Sequence, residues 1–150
     1  MDASARPPGG PVALGERIVR GRIALSKGDL PLARNEFTLA LSKGQPNGAT
    51  VSAFAGRAEV ALREGQPALA SADAGQALRL AQSLQGGTPH SARTGLVWLI
   101  EGDIRTQQGA ASAAKEAYEN AVSHLTPTVD PAHPALKRAQ AMVVKTTPAS

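Results

Sequence analysis

Between Val12 and Val144 the apolar residues recur at three- and four-residue spacing, the period of helices that bury one face. Val12, Leu14, Ile18, Val19, Ile23 and Leu25 predict a first helix, stopped by Gly28. Leu32, Ala33, Phe37, Ala40 and Leu41 predict a second, with Asp29 as its cap, Pro31 in its first turn and the polar stretch from Lys43 to Gly48 at its end. Val51, Phe54, Ala58, Ala61 and Leu62 give a third that ends at Gly65, and Leu69, Ala70, Ala74, Ala77, Leu78 and Ala81 a fourth that runs to the break from Gly86 to Pro89. A fifth and a sixth, joined at Gly109, fill the stretch from near Ser91 to near Leu125. Asp130 followed by Pro131 reads as the start of a seventh, running to about Val144 with Ala135, Leu136, Ala139, Met142 and Val143 on its apolar stripe. The expected fold is all-α with about seven helices in one domain, residues 12–144. Residues 1–11 are expected to be a disordered segment or linker and residues 145–150 a frayed tail, because neither has the apolar side chains that offset ordering entropy.

The same phrase is written three times. With the turn glycines Gly28, Gly65 and Gly109 aligned, Gly21, Ala58 and Gly102 lie seven residues earlier, Ala33, Ala70 and Ala114 five later, Phe37, Ala74 and Tyr118 nine later, and Ala40, Ala77 and Ala121 twelve later. Two antiparallel helices joined by a tight turn need a small residue at each crossing, one large residue to plug the gap beside it, and glycine where the backbone turns left-handed. Residues Trp98, Gly102, Gly109, Ala114, Tyr118 and Ala121 carry the fullest copy; Phe54, Ala58, Gly65, Ala70 and Ala77 the second; Gly21, Gly28, Ala33, Phe37 and Ala40 the first. On these residues the chain from Leu14 to about Leu125 resembles the tetratricopeptide repeat family. That resemblance implies a right-handed superhelical array of antiparallel helix pairs, a solenoid. The copies depart from the family pattern. Arg20, Arg57 and Glu101 stand where it usually has a large aliphatic, and Ala24, Ala61 and Arg105 where it has an aromatic. Glycine-to-glycine intervals are 37 and 44 residues, against roughly 34 in a strict tandem array. Another array of helical hairpins or a plain bundle is the alternative fold. The seventh helix is expected to cap the array, or else to begin a fourth repeat.

Composition narrows the function classes. The 150 residues contain no cysteine, which removes disulfides and thiolate metal sites and leaves the redox compartment open. Hydrophobic residues are 42% of the chain but aromatics only 3%, so the core is built from alanine-lined helix contacts. The net charge of +4 is scattered from Arg6 to Lys145 without a cluster, which argues against a nucleic-acid surface. The apolar run Leu96 to Ile100 is far too short for a membrane span, and the amino-terminal stretch has no secretory-signal pattern. A cytoplasmic setting is favoured, with the periplasm open if the chain is a piece of a larger protein; the alanine-rich composition hints at a bacterial source of high GC content. His90, His124 and His133 have no metal-ligand spacing, and His124 at the end of the sixth helix is placed to meet the helix dipole. No strand-to-helix nucleophile motif and no phosphate-binding glycine loop is present. No catalytic residue, cofactor or metal is therefore expected, and no enzyme.

The resemblance implies a concave face, lined chiefly by the first helix of each pair, that holds an extended peptide or a partner's helix. Its lining here would be Ile18, Arg22 and Leu25; Ala55, Glu59 and Leu62; and Leu99, Asp103 and Thr106, unless the apolar ones among them are simply core. The lysine, asparagine and arginine clamp of family members that grip chaperone tails is absent, because none of the three first helices contains asparagine. Glu16 with Arg20, Glu59 with Arg63, and Glu101 with Arg105 have the order favourable for ion pairs along a helix. The expected function is protein–protein interaction, in a scaffold or regulatory assembly. A self-associating structural module is the alternative, and a nucleic-acid-binding helical domain a third.

Overall fold

The computed structural model describes residues 12–42 and 46–148. Expectations for residues 1–11, 43–45 and 149–150 lie outside these. Among the described residues the chain is all-α, with seven helices: α1 (Leu14–Ser26), α2 (Leu30–Ser42), α3 (Gly48–Arg63), α4 (Pro67–Gln85), α5 (Ala92–Gln107), α6 (Ala111–Leu125) and α7 (Pro134–Thr146). Each packs on the next in sequence, and α1, α3, α5 and α7 also touch in succession.

The three turns share one construction. Gly28, Gly65 and Gly109 have φ of 78°, 71° and 77°, the left-handed region where a side chain is disfavoured. In each turn two hydrogen bonds return to the helix just ended. Gly28 donates to Leu25 and Asp29 to Ala24; Gly65 to Leu62 and Gln66 to Ala61; Gly109 to Thr106 and Ala110 to Arg105, all between 2.9 and 3.1 Å. This satisfies the carbonyls a helix end leaves unpaired. The Asp29 carboxylate accepts from the Leu32 amide at 3.2 Å, as its capping role predicts. Asn47 caps α3, accepting from the amides of Ala49 and Thr50, and Ser91 caps α5.

The seventh helix starts later than Asp130 and Pro131 suggest. Asp130 spends its side chain on a turn, accepting from the Ala132 amide at 2.7 Å, while its carbonyl accepts from His133. The helix begins at Pro134, with His133 Nδ1 accepting from the Ala135 amide at 3.1 Å, and runs on to Thr146.

Three apolar clusters fill the seams. Phe37, Ala33, Ala40, Ile18, Leu25 and Val60 join α1, α2 and α3. Ala70, Ala74, Ala77, Val97, Ile100 and Ile104 are among those that join α3, α4 and α5. Tyr118, Ala114, Ala121, Leu125, Leu136 and Ala139 join α5, α6 and α7. The small residues are needed. A β-carbon on Gly21 would stand 2.6 Å from the Phe37 ring, and one on Gly56 or Gly102 would collide with Phe37 or Tyr118. Neighbouring pairs are also tied at a repeated register. Arg63 Nη1 donates to the Leu25 carbonyl at 2.7 Å and Gln107 Nε2 to the Leu62 carbonyl at 3.0 Å. Both donors stand two residues before their turn glycine, and both acceptors three residues before the preceding one.

The charged residues that break the family pattern are paired. Arg57 makes two bonds to Asp73, at 2.7 and 2.8 Å; Arg20 pairs with Glu16 at 2.6 Å and Glu101 with Arg105 at 3.4 Å. The third predicted helix-surface pair, Glu59 with Arg63, does not form as a direct contact. Arg63 is drawn instead to the exposed end of α1, where the Leu25 carbonyl takes its hydrogen bond.

Candidate functional site

A groove of about 590 Å³ runs over the first helices of the three pairs and reaches α7. Its apolar lining is Ala55, Leu62, Leu96, Leu99 and Ile100, and its polar lining Arg22, Glu59, Arg63, Asp103 and Arg138. The helical period explains why these meet. Ala55, Glu59 and Leu62 stand at four and three residues along α3, and Leu96, Leu99, Ile100 and Asp103 follow the same period on α5.

Six of the nine residues expected to line the concave face, Arg22, Ala55, Glu59, Leu62, Leu99 and Asp103, lie together here. The other three do not. Ile18 and Leu25 are buried in the seam with α2 and α3, because the α1 stripe that looked like groove is its core face. Thr106 is exposed on the last turn of α5, where its hydroxyl donates to the Gly102 carbonyl at 2.9 Å and lies 3.1 Å from the Tyr118 hydroxyl. Leu99, although it touches the groove, is only 7% exposed and belongs to the cluster around Tyr118. Arg138, Arg63, Leu96 and Ile100 are lining residues that sequence reasoning missed. Leu96 and Ile100 could have been found by extending the helical period back from Asp103; Arg138 could not, since its position depends on how α7 crosses the array.

The polar rim is organised by one buried aromatic. Tyr118 is fully buried, and its hydroxyl donates to Asp103 Oδ1 at 2.7 Å. Arg138 of α7 donates to the same carboxylate oxygen at 2.6 Å. Burial, reinforced by Asp103 and opposed by the Thr106 hydroxyl, pushes the tyrosine's pKa up to about 12, so it stays a neutral donor. Glu59 has no direct ion pair or hydrogen bond among the described residues. Burial raises its pKa above the ordinary carboxylate range, and the more distant Arg22 and Arg63 only partly offset this. The groove thus presents an apolar floor, one carboxylate set among arginines, and a fixed Asp103–Arg138 pair at its α7 end.

Elsewhere, His124 does not act as a charged group at the α6 terminus. Its Nδ1 accepts from the Ser91 amide at 3.1 Å, and burial, together with neighbouring His90, lowers its pKa. Its ring therefore ties the start of α5 to the end of α6 as a neutral acceptor. Trp98 and Phe54, half-buried, carry the Arg105 and Arg57 guanidinium groups over their rings at 5.8 and 6.0 Å. Among the described residues, no cluster of three or more histidine, aspartate or glutamate side chains is arranged to hold a metal ion, and no helix is long and apolar enough to cross a membrane. No protein-family model, curated protein or solved structure matches the chain.

Proposed function

We propose that the chain is a protein-interaction module of tetratricopeptide type, whose groove over α1, α3, α5 and α7 holds a peptide or a partner's helix in a scaffold or regulatory assembly. The observation that carries this reading is the convergence of side chains from four helices on one open surface, with apolar anchoring residues inside a charged rim. Such a surface suits a segment with an aliphatic anchor and polar flanks, since the apolar floor supplies affinity and the fixed charges supply register. The repeated turns and the repeated ties from Arg63 and Gln107 support the tetratricopeptide assignment.

The groove is tested by selection from a displayed random-peptide library against the wild-type chain and against a Leu62→Asp, Leu96→Asp variant. Leu62 is half-buried against the edge of the α3–α4–α5 cluster and Leu96 41% exposed, so these changes disturb the core less than Leu99→Asp would, and helix content equal to wild type checks that the variant folds. Enrichment of peptides with an aliphatic anchor on the wild type alone is expected. Equal enrichment on both, or none on either, would sink the proposal.

A further inference from the structure

The charged residues of the groove are not arranged evenly. Arg22, Arg63 and Arg138 are exposed, whereas Glu59 and Asp103 are half-buried, so a partner approaching from solvent meets guanidinium groups before carboxylates. Their pairing sharpens the imbalance. Asp103 is held by Arg138 and by the Tyr118 hydroxyl, which neutralises the α7 end. At the α1 end, Arg22 has no hydrogen bond or contact ion pair among the described residues, and Arg63 gives one N–H to the uncharged Leu25 carbonyl, which leaves its positive charge unmatched. Leu25 stands three residues after Arg22, so that bond brings the Arg63 guanidinium to the stretch of α1 that carries Arg22. Of the groove's own residues, Glu59 alone opposes these two, and burial favours its uncharged form. Nearby carboxylates outside the groove are already taken, Glu64 by Arg34 and Glu36 by Arg17.

We infer, resting on the peptide-binding function proposed above, that the groove's occupant is an acidic segment of another protein, whose aspartate or glutamate sits between Arg22 and Arg63 while a nearby aliphatic side chain packs on Leu62 and Leu96. Charge complementarity selects this occupant. A ligand carboxylate gains two guanidinium partners that have no other carboxylate in contact. A ligand cation reaching for Glu59 would pass exposed arginines and be held among three like charges. A second copy of this chain, with its net charge of +4, has the wrong sign for the same surface. Arg63 follows Leu62 directly on α3, so the acidic residue and the aliphatic anchor of the ligand lie within about four positions of each other.

A displayed random-peptide library panned on the full chain, followed by fluorescence-anisotropy titration of the most enriched peptide, tests this. Aliphatic anchors with Asp or Glu within about four positions are expected. Arg22→Glu should weaken that peptide more than about tenfold, and Glu59→Gln should tighten it about three- to tenfold, both with helix content by circular dichroism unchanged. Should helix content fall in Arg22→Glu, Arg22→Gln replaces it, with a loss of about threefold expected. Raising salt from about 50 to about 500 mM should weaken wild-type binding as well. Anchored peptides with basic or uncharged flanks, or a Glu59→Gln variant that binds more weakly, overturn the acidic occupant and leave the groove standing. No enrichment at all, or self-association that Arg22→Glu abolishes, removes the peptide-binding function and this inference with it.

Discussion

Phe37 and Tyr118 stand at the same distance beyond their turn glycines and are both fully buried, yet they join the array in different ways. Phe37 works by shape, its ring lying against Gly21 in its own pair and Gly56 in the next. Tyr118 lies against Gly102, but its hydroxyl leaves the core to hold Asp103, which holds Arg138 of α7. The middle pair takes a third course. Ala74 stands in the plug column, and the volume is supplied from across the seam by Ile100, which replaces the glycine found at Gly56. The comparison teaches that the repeat keeps the filled volume of each seam rather than the residue that fills it, as close packing requires.

The sharpest way to break the comparison is Phe37→Ala. It empties a space shared by two helix pairs and should destabilise the fold by about 3–5 kcal/mol in denaturant unfolding. Next comes Gly56→Ala, which overpacks the ring and should cost about 1–3 kcal/mol alone. Combined with Phe37→Ala it should instead stabilise by about 0.5–1 kcal/mol, because the clash is gone and alanine is the better helix former. An additive result would show that the two residues do not share one space. Ala114→Leu, in the fully buried α5–α6 seam beside Tyr118, should also cost about 1–3 kcal/mol. Tyr118→Phe keeps the plug and removes its polar arm, so a loss of about 1 kcal/mol is expected, with weaker capture of any selected peptide as Asp103 and Arg138 loosen.

The smallest effect is on Glu59→Gln. The folded state raises the carboxyl pKa, so the folded chain holds this proton more tightly than the unfolded one. The stabilisation from the neutral acid is complete below the ordinary value near 4.5 and is lost as pH rises through the raised value. Glu59→Gln should therefore raise the thermal midpoint at pH 7, and the advantage should vanish below about pH 4.5. A midpoint lowered at pH 7 would show that the surrounding arginines outweigh burial.

Much of the fold was legible because its signals are local. The turn glycines, the Asp29 cap and the apolar period act within a few residues, and helices stand where they place them. The start of α7 was misplaced because Asp130–Pro131 and His133–Pro134 offer the same signal, and only the turn closed by Asp130 separates them. The groove was half legible. The columns carried over from the tetratricopeptide resemblance put Glu59, Leu62 and Asp103 on one face, but they could not tell which side of α1 meets α2, and of the two readings left open for Ile18 and Leu25, groove or core, both are core. Arg63 was read as the partner of Glu59 because a one-helix view contains no neighbouring carbonyl for it to reach.

The three glycine turns have a consequence for how the chain acquires its shape. Each closes on contacts only a few residues apart, and helices touch only those one or two places away in sequence. Contact order is therefore low, little loop entropy is lost before native contacts form, and folding is expected to be fast for a chain of this length. Three equivalent turns also offer three places to begin. A lesion such as Gly65→Val would then slow one route and leave the other two open, shifting the point of nucleation along the chain rather than abolishing it.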